Sequence, residues 1–125
     1  MIPVDQSVFH ERGDCMSACI ASILELPLEE VPHFAKYDDW RERLDAWLRD
    51  RGMYSIEGIF NGDWRPDGLY LLGGKSPRHD GSHCVVARGH EVLHDPHPSR
   101  LGVLTQEHFK ALVPFDPIEY VKRNR

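Results

Sequence analysis

The sequence predicts an α+β fold in which a central N-terminal helix packs against an antiparallel sheet. Two observations carry that expectation. The two main helical stretches precede Gly52, and after it the pattern changes to short alternating runs set between glycines and turn residues. Helices first and hairpin-linked strands afterwards are the layout of this class. With 125 residues the chain has material for one domain, residues 1–125, around a single core.

Residues 15 to 25 carry apolar or small side chains on every side (Met16, Ala18, Cys19, Ile20, Ala21, Ile23, Leu24), the pattern of a helix surrounded by protein. Pro27 stops it, and Leu28 to Phe34 reads as a short helical turn or loop closed by Pro32. A second, amphipathic helix is expected from Asp38 or Asp39 to Arg51, with Trp40, Leu44, Trp47 and Leu48 on one stripe and Gly52 behind it. Met53 to Ile59 and Gly68 to Gly73 read as strands, joined by the turn Asn61 to Asp67. A polar loop from Gly74 to Ser82 leads into a hairpin, His83 to Arg88 and Glu91 to His94, turning at Gly89-His90. Thr105 is expected to cap a helix over Gln106 to Leu112, and Pro117 to Lys122 to close the sheet as a last strand.

The chemistry concentrates at Gly13-Asp14-Cys15-Met16, where a helix-capping acid is followed at once by a cysteine. A thiol in the first turn of a helix meets converging backbone N–H groups and the positive end of the helix dipole, which favour thiolate and can hold an oxyanion. His83 begins an apolar strand after the flexible Asp80-Gly81-Ser82, and is the natural base for Cys15. Asp95, in His94-Asp95-Pro96-His97-Pro98, would orient the imidazole as third member of a Cys, His, acid series. Strand alternation makes the hairpin register a test. A regular two-residue turn puts Asp95 on the face away from His83, so an odd loop or a bulge is expected, or else Asp95 reaching in from just beyond the strand.

Gln6 is the best candidate for a second oxyanion donor, because its segment must pass near the helix N-terminus and its amide carries two donors. His10 is a weaker substitute. Each residue also has a plainer reading: Cys15 as a small buried hydrophobe, Asp95 as part of an Asp-Pro turn, Gln6 as a surface glutamine. Cys19 and Cys84 are expected in the core, Cys84 on the strand face opposite His83. The aromatic residues Trp40, Trp47, Trp64 and Tyr70 are read as core or cleft-wall side chains. His79 with His83, or His94 with His97, joined by Cys15 or Asp80, could furnish zinc ligands, but the spacings match no firm zinc pattern. No metal and no cofactor are expected.

Composition narrows the remaining classes. The net charge is -5 and basic residues are scattered apart from the tail Lys122-Arg123-Asn124-Arg125, so no nucleic-acid partner is expected. Three cysteines cannot all pair within the chain, which points to a reducing compartment. The N-terminal residues lack the features of a signal peptide and no run approaches membrane-spanning length, so a cytoplasmic protein without membrane association is expected.

At these residues the chain resembles the small papain-like cysteine hydrolases of bacteria and their phages, related in fold to bacteriocin-processing peptidase domains. The resemblance rests on Gly13-Asp14-Cys15 with the helix Met16 to Leu26, on Leu26 to Phe34, and on His83-Cys84-Val85-Val86 with His94 to Ser99. It spans most of the chain. It implies a papain-like α+β fold, with Cys15 as nucleophile, His83 as base, Asp95 as orienting acid and Gln6 in the oxyanion hole. The implied activity is cleavage of a peptide, isopeptide or amide bond through a thioester, with a peptide, protein or small amide as substrate. Members of the fold also include acyltransferases, deamidases and inactive proteins, so a phage-encoded factor that binds and blocks or modifies a host protein is the alternative.

Overall fold

The computed structural model describes residues 1–9 and 12–123, with Arg123 described in its backbone alone. His10 lies outside the described residues, as do Asn124 and Arg125 of the basic tail.

Helix α1, Cys15–Leu24, is enclosed by protein, with Ser17, Ala18, Cys19, Ile20, Ala21 and Ser22 all buried. Its two serines tolerate that burial because their hydroxyls are spent on carbonyls: Ser17 Oγ donates to Pro32 O at 2.6 Å and Ser22 Oγ to Ala18 O at 2.8 Å. The helix ends where Glu25 enters the left-handed region at φ 58°, ahead of Pro27. Single 3-10 turns follow at Leu28–Glu30 and Phe34–Lys36. Helix α2, Trp40–Asp50, buries Leu44 and Leu48 and leaves its charged face to solvent. Gly52, at φ 74°, supplies the left-handed residue that turns the chain into the sheet.

The strands are β1 (Met53–Ile59), β2 (Leu69–Lys75), β3 (Ser82–Arg88), β4 (Glu91–His94) and β5 (His108–Pro114). They form one antiparallel sheet in the order β1-β5-β2-β3-β4, so the last strand enters the middle. One face packs Leu71, Val86 and Met53 against Cys19, Ile20, Phe34, Leu44 and Leu48 beneath the two helices. The other buries Tyr70, Leu72, Val85 and Ala87 under Phe60, Val103, Phe109 and Ala111. The architecture is α+β as the sequence implies. Among the described residues no helix is long and apolar enough to cross a membrane.

Three boundaries differ from expectation. The stretch read as a helix over Gln106 to Leu112 is strand β5, because it is laddered on both sides, to β1 and to β2, and those ladders outweigh the helical preference of Gln106, Glu107, Lys110, Ala111 and Leu112. The stretch read as a closing strand is helix α3, Pro117–Arg123. Asp116 starts it, its carboxylate accepting from Ile118 N at 3.0 Å and Glu119 N at 3.2 Å, with Pro117 in the first helical position. The polar loop is also shorter than expected, since strand pairing runs through Gly74 and Lys75 to His83 and Ser82.

Candidate active site

Cys15 is the first residue of α1 and is partly buried. Asp14 stands at the helix cap but does not cap it, which corrects the expectation. Its buried carboxylate turns the other way and accepts from Ser7 N (2.8 Å), Ser7 Oγ (2.7 Å) and Val8 N (2.9 Å). The first-turn N–H groups of α1 are thus left without a side-chain cap, in the position where they can hold an anion.

His83 and Asp95 meet as the register argument requires. The hairpin turn has two residues, Arg88 pairing with Glu91 and Ala87 with Val92, but the next pair is Val86 with His94. Leu93 is therefore the extra residue of a bulge. Gly89, at φ 58°, provides the positive φ of the turn. Beyond the bulge Asp95 comes to the His83 face, and His83 Nε2 donates to Asp95 Oδ1 at 2.7 Å with both side chains almost fully buried. Asp95 also accepts from His97 N at 2.9 Å and from Gly102 N at 2.7 Å. Burial works against its charge, yet His83 and these N–H groups hold its carboxyl below the ordinary value.

With Nε2 engaged by Asp95, Nδ1 is the ring nitrogen open to the thiol. Burial opposes a charged His83 ring, but the hydrogen bond to Asp95 and the neighbouring Cys15 outweigh it and push its pKa up to about 9. The Cys15 thiol moves in a direction the sequence did not suggest. Cys84, whose sulfur is 3.5 Å away, and burial push it well up, against the pull of His83. Cys84 does face α1, opposite His83, and packs against the core as expected; its contact with Cys15 was not foreseen. Cys19 is fully buried in that core.

Gln6 is buried, not a surface residue. Its segment runs between α1 and the chain after β4, with Val4 N donating to Ser22 Oγ at 2.9 Å and Gln6 N to Pro96 O at 3.0 Å. The amide Nε2 donates to Val8 O at 2.7 Å, which leaves a second N–H, while Oε1 is buried without a partner among the described residues. Gln6, Cys15 and His83 line one cavity of about 240 Å³, walled also by Phe9, Trp40 and His97. A second cavity continues from it past Met16, Trp40 and His108 to Glu57 and Lys110. Lys110 donates to Glu57 at 2.5 Å there.

Trp40 is thus a cleft wall, Trp47 packs edge-on against Phe34, and Tyr70 is buried; Trp64 is instead largely exposed beside Phe109. Two of the histidines considered as zinc ligands are engaged elsewhere: His94 Nε2 donates to Val4 O at 2.9 Å, and His79 Nδ1 accepts from Gly81 N at 2.9 Å. Among the described residues no group of three or more His, Cys, Asp or Glu is placed to hold a metal ion. No known family model, curated protein or solved structure matches the chain.

Proposed function

We propose that this protein is a cysteine-dependent hydrolase on a papain-like scaffold, a thiol protease or amidase acting on a peptide, isopeptide or amide bond. The buried His83–Asp95 hydrogen bond of 2.7 Å, on the wall of the cavity that holds Cys15, is the observation that carries the reading. In the proposed reaction His83 Nδ1 takes the thiol proton as the Cys15 sulfur bonds to the carbonyl carbon, and returns it to the nitrogen of the leaving amine as the C–N bond breaks. Water then attacks the thioester, giving its proton to His83, and the acid leaves as the thiol re-forms. Asp95 keeps the ring in the tautomer with the proton on Nε2. The Cys15 N–H and the free amide hydrogen of Gln6 are the proposed donors to the oxyanion. The work of a free thiol suits a reducing compartment, and we assign the protein to the cytoplasm.

The test combines labelling with turnover. Iodoacetamide should alkylate Cys15 faster than free cysteine at its optimal pH, with Cys15→Ala as the control, and a screen of peptide, isopeptide and amide substrates should find turnover that Cys15→Ala abolishes. His83→Ala should lower the rate by about 10²–10⁴-fold. An unactivated Cys15, with biological activity kept in Cys15→Ala, would favour the reading as a partner-blocking protein on the same scaffold.

A further inference from the structure

The chain has more acidic than basic residues and a net charge of -5, yet no carboxylate lines the cavity around Cys15 among the described residues. Its polar wall away from α1 includes Arg78, His79, His83, His97 and His108. Such an inversion of the overall charge marks a place where an anion is expected.

The wall has an ordered core. Arg78 Nη1 donates to Ser99 Oγ at 2.9 Å, and that hydroxyl lies 2.9 Å from His97 Nδ1. Ser99 N also donates to His97 Nδ1 at 3.0 Å, so Nδ1 is the acceptor and the ring proton sits on Nε2. Burial and the neighbouring Arg78 hold His97 below its ordinary pKa, which keeps the ring neutral with a single N–H to offer. The backbone of His97 is pinned by Asp95, its ring packs edge-on against Phe9 at 5.5 Å, and its centroid stands 6.4 Å from that of His83. Among the described residues no Asp or Glu pairs with Arg78, and no protein group accepts from its Nη2 or Nε. An arginine fork held at one nitrogen by a serine, with its other donors uncommitted beside a cleft, is suited to a planar carboxylate.

We propose that Arg78 and His97, braced by Ser99, form a carboxylate-binding subsite beside Cys15, so that the substrate carries a carboxylate a few bonds from the carbonyl that Cys15 attacks. The assignment rests on Cys15 being the nucleophile. The carboxylate belongs either to an acidic side chain or to a chain terminus.

The test compares two alkylating agents of the same size, iodoacetate and iodoacetamide, each of which loses iodide as the Cys15 sulfur bonds to its methylene carbon. In Arg78→Gln the rate with iodoacetate should fall about tenfold while the rate with iodoacetamide stays within about twofold, since a hydrogen bond to a charged group is lost only for the anion. The imidazolium of His83 attracts iodoacetate in both proteins and cancels from the comparison. Arg78→Lys, which keeps the charge and loses the fork, should fall between. Equal rates in wild type and Arg78→Gln with iodoacetate would overturn the subsite. Labelling by iodoacetamide no faster than that of free cysteine at the optimal pH would instead count against Cys15 as an activated nucleophile, while the iodoacetate comparison still judges the subsite. N-acetylglutamic acid α-amide and N-acetylalanine then distinguish the two sources. Whichever protects Cys15 from iodoacetamide in wild type but not in Arg78→Gln names the carboxylate, and protection by neither overturns the proposal.

Discussion

The sulfur of Cys84 lies 3.5 Å from the sulfur of Cys15, closer than its 3.8 Å to Cys19. Cys84 comes from β3, one residue after His83, so the same strand brings to the thiol both the ring that favours its ionisation and the neighbour that opposes it. Replacing Cys84 by Ala should therefore lower the Cys15 pKa. Followed by iodoacetamide labelling across pH, the rising limb of the Cys84→Ala profile should move toward acid by about one unit. A profile that does not move would mean that burial alone sets the thiol.

The pH dependence of the pair follows from two upward shifts. At neutral pH both His83, pushed up to about 9, and Cys15 hold their protons. Raising the pH through about 9 removes one proton and leaves the other shared between sulfur and imidazole, which is the form able to attack a carbonyl. Labelling and turnover should climb through that range. In Asp95→Asn the largest support for the imidazolium is gone, and the limb should move down toward the ordinary histidine value of about 6.5 or below it. A wild-type limb already near that value would contradict the shift assigned to His83.

The same pair makes stability depend on pH in a defined direction. His83 has a raised folded pKa, so its contribution is fully present below its unfolded value of about 6.5 and is lost as pH rises through about 9. Asp95 has a lowered folded pKa, so its contribution is present above its unfolded value of about 3.9 and is lost as pH falls through the folded one. Both operate together between about pH 4 and 6.5. Denaturant unfolding should therefore show the widest gap between wild type and Asp95→Asn in that window, about 3 kcal/mol, as for a broken buried pair. Above pH 9 the gap should narrow.

Local signals carried the parts of the fold that depend on one segment. The unbroken apolar run after Cys15, the Trp40 to Leu48 stripe and the alternation from His83 to Arg88 each say what they become. The bulge at Leu93 was legible only as a requirement of parity, because nothing at Leu93 itself marks it. β5 was not legible, since its strand form depends on a slot between β1 and β2 that the segment cannot specify. α3 is legible in its start signals: Asp116, Pro117 and Glu119 are a capping residue, a first-turn proline and a first-turn acid. In the site, Cys84 escaped notice because alternation places it away from His83, and only the docking of α1 brings it against Cys15.

Gln6 reaches the cleft through Asp14. The Asp14 carboxylate holds Ser7 and Val8 by three hydrogen bonds of 2.7 to 2.9 Å, and Val8 O in turn accepts from Gln6 Nε2 at 2.7 Å. In the proposed reaction Asp14 is thus a positioning residue that acts through Gln6, and the two should behave as one unit. Gln6→Ala should lower kcat by about 10²-fold, the usual effect of losing an oxyanion donor. Asp14→Asn keeps one oxygen for the N–H groups of Ser7 and Val8 but removes the charge and turns the acceptor facing the Ser7 hydroxyl into a donor, so it should loosen the loop and lower kcat by less. Combined, the two substitutions should cost little more than Gln6→Ala alone, because the second removes support for a group already gone. Alkylation of Cys15 by iodoacetamide forms no oxyanion, and its rate should be unchanged in all three variants. Losses that add in the double variant, or a labelling rate that falls with Asp14→Asn, would show that Asp14 acts on Cys15 itself and not through the amide of Gln6.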